Sequence, residues 1–185
     1  MAARPGSSGS TGTTPAASRV AAILLMLAPM SAAASCGDEP RLRALDFWLG
    51  RWEVLTEHEI AGFDVVEAVL DGCAVTERWL DAQGHAGFSL FWFDRDADNW
   101  RQLWLTDRAL DVAGTKEKVE VSGVTTPTRI RFEGHYPGRT GGAVIYDRTT
   151  LTLESPDRVR QLIEISTDGG QSWTAVFDGE YRRAN

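Results

Sequence analysis

The sequence predicts an all-β protein, a single antiparallel up-and-down β-barrel of roughly 8–10 strands, and three observations carry that prediction. From residue 46 onward, apolar and polar side chains alternate with a period of two rather than the helical spacing. Short runs rich in Val, Ile, Thr, Phe and Trp are separated by Gly, Asp, Asn and Pro, residues that tolerate positive φ or favour turns. No strand–helix–strand alternation appears, so the strands must pair through consecutive hairpins. Closing such a meander into a barrel removes the edges that would otherwise recruit other chains.

In order, strands are expected at 48–56, 63–70, 73–80, 86–94, 99–106, 109–114, 117–122, 128–135, 143–153, 158–166 and 172–183. The turns between them are signalled by Asp71-Gly72, Asp81 to Gly84, Asp94 to Asn99, Pro137-Gly138, Gly141-Gly142, Ser155 to Asp157 and Asp168 to Gly170. Only Arg41 to Leu49 suits a short helix, which would cover one end of the barrel.

The region before the barrel has a different character. Residues 1–18 are rich in Gly, Ser, Thr, Pro and Ala without apolar periodicity, the composition of a disordered leader. Arg19 precedes the apolar run Val20 to Met30, and small residues Ser31 to Ser35 follow. That order is the pattern of a secretory signal peptide, and the run is well short of the roughly 20 residues a spanning helix needs. The chain therefore divides into a leader and signal over 1–35, a segment over 36–45 and a barrel over 46–185. The expected location is periplasmic or extracellular. Without residues 1–35, 17 basic side chains face 26 acidic ones, a formal charge of −9. Such a surface repels phosphate backbones and anionic lipid, which argues against nucleic-acid and membrane partners.

The cysteines, Cys36 and Cys73, leave three readings open. In an oxidising compartment they can pair and pin the N-terminal segment to the barrel. Ala33 to Cys36 also loosely resembles a lipoprotein cleavage box, which would make Cys36 a lipidated N-terminus. Both could instead be free thiols.

Several motifs occur in a fixed order: Phe47-Trp48-Leu49-Gly50-Arg51-Trp52-Glu53-Val54, then Gly72 to Trp79, Gly87-Phe88-Ser89, Trp100-Arg101-Gln102-Leu103-Trp104, Arg160-Gln161, Asp168-Gly169-Gly170 to Trp173, and Phe177 to Tyr181. The Gly50-x-Trp52 pair resembles the opening of lipocalin-type barrels. The whole series resembles the exported bacterial lipocalin-like proteins grouped as DUF1579, over residues 45–183. The resemblance implies a calycin-like barrel with an internal cavity and no general reaction. The sequence departs from that pattern at Ile163, where an aromatic is expected, and at Arg108-Ala109, where a glycine turn is expected.

Alternation decides which side chains share a face. Val75, Glu77 and Trp79 point one way, as do Trp100, Gln102 and Trp104, and Val159, Gln161 and Ile163; Ser89 lies on a strand with alternate faces. Trp-x-Gln-x-Trp places an amide among indoles, where an unpartnered polar group would cost roughly 1–3 kcal/mol. Glu77, Trp79, Ser89, Trp100, Gln102, Trp104 and Gln161 are thus the expected ligand-binding set, facing a mostly apolar cavity. The competing arrangements are a filled core, or inverted faces with these polar groups in solvent.

Glu77 is the candidate acid or base, since burial among indoles raises a carboxyl's pKa, but a lone structural Glu is the plainer reading. His58, His85 and His135 have no metal-ligand spacing, so no metal site is expected. A haem role, as in the related barrel nitrobindin, would need a cavity-facing histidine, for which His135 is the candidate. Ser166 to Trp173 fits the Asp-box pattern of sialidase propellers, but a single copy reads as a hairpin stabiliser. The functional expectation is a monomeric or homodimeric carrier of a small apolar or aromatic molecule, without a cofactor. The alternatives are an isomerase- or cyclase-type enzyme using the same cavity, and an envelope protein without a ligand.

Overall fold

Ten strands pair in sequence order and the last closes on the first. They are β1 Gly50–Thr56, β2 Glu59–Val69, β3 Ala74–Asp81, β4 Ala86–Asp94, β5 Asn99–Thr106, β6 Thr115–Glu120, β7 Arg129–Pro137, β8 Val144–Ser155, β9 Arg158–Ser166 and β10 Thr174–Arg183. A computed structural model provides this fold and describes residues 1–2, 6, 9, 35–108, 114–138 and 142–184. The expected leader and signal peptide therefore lie almost wholly outside the described residues, as does most of the strand expected at 109–114. Ala33–Asn185 forms one compact unit.

All neighbouring pairs are antiparallel, and the closing pair sets Trp52 opposite Arg183 and Val54 opposite Tyr181. This is the predicted all-β meander, and it leaves no strand edge unpaired. The alternation holds inside the barrel. Trp52, Val54, Asp64, Val66, Val75, Glu77, Ser89, Phe91, Trp100 and Gln102 are buried, while their sequence neighbours such as Phe63, Arg78 and Phe88 face out.

In a meander the odd-numbered hairpins gather at one end and the even-numbered ones at the other. The second end is plugged. Ser35 to Leu49 makes three short 3-10 turns, Cys36–Asp38, Pro40–Arg43 and Asp46–Trp48. The sequence suggested one short helix here. Segments of three or four residues are too short to repay α-helix nucleation, and Pro40 opens one of them. Leu45 and Trp48 enter the core completely. Trp48 meets Phe91 edge-on at 5.6 Å and Tyr181 at 6.1 Å, and Phe91 packs on Phe132 at 5.4 Å.

Polar contacts fix the plug. The Trp52 indole donates to the Trp48 carbonyl at 2.9 Å, and the Trp100 indole donates to the Arg41 carbonyl at 2.9 Å. Buried Glu120 accepts from the Trp100 backbone N–H at 2.8 Å and faces Arg41 at 3.6 Å. The Arg183 guanidinium covers the Trp52 ring at 4.3 Å and donates to the carbonyls of Leu49 and Pro156. Gly50, at φ +142°, leaves room for that guanidinium, which a Cβ would strike.

Cys36 and Cys73 form a disulfide, joining the plug to the β2–β3 turn. This excludes the free-thiol reading, and a sulfur spent on Cys73 cannot carry a thioether lipid. The bond spans 37 positions, and closing such a loop in the unfolded chain stabilises the fold by about 3–4 kcal/mol in the chain-entropy model. The double variant Cys36→Ser/Cys73→Ser is expected to keep the barrel's circular dichroism and lose roughly 10 °C in Tm. An unchanged Tm would show that the plug holds without its staple.

Candidate functional site

The other half of the barrel is not filled. A cavity of about 790 Å³ runs from the polar middle of the barrel to the end bearing the β1–β2 and β3–β4 turns. Trp79, Trp104, Ile163 and Phe177 form its apolar walls; Glu77, Gln102, Lys118, Thr149, Gln161 and Tyr181 line its polar part. Small residues make this shape possible. A Cβ on Gly62 would lie 2.7 Å from the Trp79 ring, and one on Gly87 would lie 3.2 Å from the Trp104 indole nitrogen and 3.4 Å from Trp79. Phe177 meets Trp79 edge-on at 6.1 Å.

Two acids meet in the polar part. Asp64 lies opposite Trp79 and Glu77 opposite Val66, which makes the carboxyls diagonal neighbours on the inner face of β2 and β3. Both are almost completely buried. Burial first, and then the charge of Glu77, holds the Asp64 carboxyl well above the ordinary carboxylate range. Burial also raises Glu77, while the Ser89 hydroxyl, Asp64 and the charge of Lys118 pull it back. Asp64 therefore holds its proton to higher pH than an ordinary carboxyl does.

The remaining bonds have a definite direction. Ser89 donates its one hydroxyl hydrogen to Glu77, and Gln102 Nε2 donates to Ser89 Oγ at 3.3 Å. The amide orientation follows from this, because a hydroxyl that has spent its hydrogen can only accept. Gln102 Oε1 is left buried without a hydrogen-bond partner. Nearby, the Tyr181 hydroxyl donates to Gln161 Oε1 at 2.8 Å, and burial holds that phenol well above its usual range.

Across the cavity, buried Lys118 pairs with buried Asp147 and donates to Thr149 Oγ1 at 2.6 Å. Burial lowers the Lys118 pKa and Asp147 opposes that shift. Lys116 reaches the other Asp147 oxygen at 2.8 Å, with its ammonium 5.4 Å from the Trp104 ring centre and 5.0 Å from that of Tyr136. Gly134, between Lys118 and Asp147 in register, leaves space for the lysine stem.

Five of the seven sequence-predicted residues, Glu77, Trp79, Gln102, Trp104 and Gln161, line this cavity. The other two sit elsewhere. Ser89 is fully buried behind Glu77 and Gln102, where it couples them. Trp100 does share a face with Gln102 and Trp104, but it lies two residues nearer the plug and is sealed in the core. Alternation gives the face and not the depth along it. The inverted-face arrangement is excluded by the burial of Glu77 and Gln102.

The cavity is also more polar than expected, because sequence reasoning passed over Asp64, Lys116, Lys118 and Asp147. Thr115 to Glu120 reads as a solvated edge strand, with charge on both faces. The alternation Lys116, Lys118, Glu120 was visible in it, but nothing local says that this face turns inward. Ile163, the departure from the aromatic pattern, lies on the cavity wall.

His135 is exposed on the outer face of β7, with its ring 5.8 Å from Tyr146, so it cannot reach a group inside the barrel. This corrects the haem candidate. His58 and His85 occupy turns. Among the described residues no cluster of three or more His, Cys, Asp or Glu could hold a metal. The Asp-box segment is a hairpin: Asp168 accepts from the backbone of Gln171 at 3.0 Å and of Ser172 at 2.9 Å, and these bonds with the Ser172 hydroxyl hold its pKa far below the usual range. Arg148 covers Trp173 at 4.1 Å. No protein-family model matches the chain, and no curated protein is detectably similar to it in sequence.

The acid pair has a pH signature. Folded Asp64 stays protonated above the pH at which the unfolded carboxyl ionises, near 4. The folded state then binds more protons than the unfolded one, so stability falls as pH rises from about 4 through the raised pKa. Asp64→Asn keeps a donor toward Glu77 and removes the titration. Thermal melts are expected to coincide for variant and wild type near pH 4 and to favour the variant increasingly toward pH 8. A Tm difference that does not change with pH would refute the raised Asp64 pKa.

Proposed function

We propose that this protein is an exported barrel that binds a small apolar or aromatic molecule in its Trp-lined cavity. The observation that carries the reading is the unequal filling of the barrel: one end is packed solid, while the other leaves about 790 Å³ between aromatic walls and a few placed polar groups. A protein with a purely structural role has no use for an unfilled interior, whose walls forgo contacts that packing would supply. The disulfide indicates an oxidising, non-cytoplasmic environment. It supports the export suggested by residues 19–35.

One observation favours a second reading. Glu77 lines the cavity with Asp64 buried beside it, and burial raises the pKa of both carboxyls, an arrangement suited to passing a proton to or from a bound substrate. An isomerase- or cyclase-type enzyme would use Glu77 in this way. Glu77→Gln would then abolish turnover of a bound substrate while leaving its binding in place.

The two indoles on β5 separate function from packing. With the neutral fluorophore N-phenyl-1-naphthylamine as probe, Trp104→Ala is expected to weaken binding about ten-fold, or about 1.4 kcal/mol, with a small change in Tm. Trp100→Ala is expected to cost roughly 3–5 kcal/mol of stability through the cavity it leaves in the core. Native mass spectrometry of protein taken from its own host compartment should show a co-purifying small molecule. If neither this probe nor any other small aromatic molecule binds wild-type protein, the carrier reading fails.

A further inference from the structure

We infer that the ligand of this cavity carries a cationic N–H donor, a protonated amine or a chemically similar group, received by Glu77 and Gln102 while Trp79, Trp104 and Phe177 hold its apolar body. The inference rests on the binding reading above and narrows it to a ligand class.

The direction of the hydrogen bonds is the first reason. The side-chain hydrogen bonds on the acid side run toward Glu77: Ser89 donates to it directly, and Gln102 donates to Ser89. Beside the remaining amide N–H groups of Gln102 and Gln161, this leaves two acceptors, the Glu77 carboxylate and Gln102 Oε1. The latter belongs to a side chain only 4% exposed and has no hydrogen-bond partner. A buried acceptor without a donor is costly, and a neutral apolar ligand placed against it would exclude water without replacing the bond. A ligand N–H satisfies it.

Charge is the second reason. Five carboxylates line the cavity and its rim, Glu57, Glu59, Glu77, Asp81 and Asp178, against two lysines among the described residues. Asp178 is held by Arg160 through bonds of 2.7 and 2.6 Å. Glu57 and Glu59 flank the β1–β2 turn at the rim. Both lysines are already committed to Asp147, which lies between them. An arriving anion would have to compete with Asp147 for the lysines and would face the charge of Glu77. A cation meets an acidic rim and a buried carboxylate, and the rim carboxylates outnumber the one positive charge by which Lys116 and Lys118 exceed Asp147.

The walls are the third reason. Indole faces attract ammonium groups; Lys116 already lies over Trp104, so the Trp79 ring is the indole offered to a ligand cation. Trp79 and Phe177 extend the same aromatic lining toward the rim.

Three probes with one indole body and different charge test the inference: tryptamine as cation, tryptophol as neutral alcohol and indole-3-acetate as anion. Each is titrated calorimetrically at pH 7 into the disulfide-intact protein, with N-phenyl-1-naphthylamine as a neutral reference. Tryptamine is expected to bind at least about ten-fold tighter than tryptophol, with indole-3-acetate weakest. Glu77→Gln should bring tryptamine and tryptophol to within about two-fold of each other; a preference surviving in that variant would overturn the role of Glu77. If the reference binds but tryptamine shows no advantage, or indole-3-acetate binds tightest, the cationic class is wrong and the carrier reading stands. If neither the reference nor any indole binds, both fall together. The wild-type comparison decides the ligand class without depending on the folding of any variant.

Discussion

Closing ten antiparallel strands into a ring is the constraint on which the rest depends. A ring of that size encloses more interior than the side chains of a small domain fill by default. The chain handles the excess unequally. At one end it spends its largest residues, Trp48, Trp52, Phe91, Trp100, Phe132 and Tyr181, on a solid plug. Toward the other end it turns Gly62, Gly87, Gly134 and Gly179 inward, and the space they release goes to the Trp79, Lys118 and Phe177 side chains and to the cavity. Plug and pocket are therefore two consequences of one closure.

The plug also explains why the segment before β1 matters. Leu45 and Trp48 come from outside the sheet, yet they fill the core as completely as any strand residue. A short irregular segment does not hold such a position through its own turns. The disulfide to the β2–β3 turn, the indole bonds to backbone carbonyls and the Arg183 cover over Trp52 hold it instead. Rigidity at this end gives the polar middle layer a fixed base, and the directions of its hydrogen bonds depend on that base.

That middle layer is where chemistry is possible. Asp64, Glu77, Lys118 and Asp147 are charged or chargeable groups inside a barrel, a costly arrangement eased by pairing lysine with aspartate on one side and by raised carboxyl pKa values on the other. The two sides differ in what they leave over. On the lysine side Lys116 and Lys118 share the single carboxylate of Asp147. The acid side ends in an unmatched acceptor at Gln102. The asymmetry gives the cavity a preference that its aromatic walls alone would not have.

Much of this was written in local patterns. The period of two from residue 46, the turn residues and the absence of helical spacing determined the all-β meander, and alternation put Glu77 with Trp79 and Gln102 with Trp104 on common faces of their strands. These features belong to single strands, so one strand's sequence suffices to encode them. Tertiary structure decided the rest. Whether Trp100 or Trp104 faces the cavity depends on depth along the barrel, which is set by where the plug sits. Whether the Thr115–Glu120 strand turns its lysines inward depends on Asp147 two strands away, 31 residues from Lys116 in sequence. Whether His135 reaches the interior depends on which face of β7 closure selects. The proximity of Asp64 to Glu77 likewise exists only once β2 and β3 are in register, and sequence distance carries no information about that register.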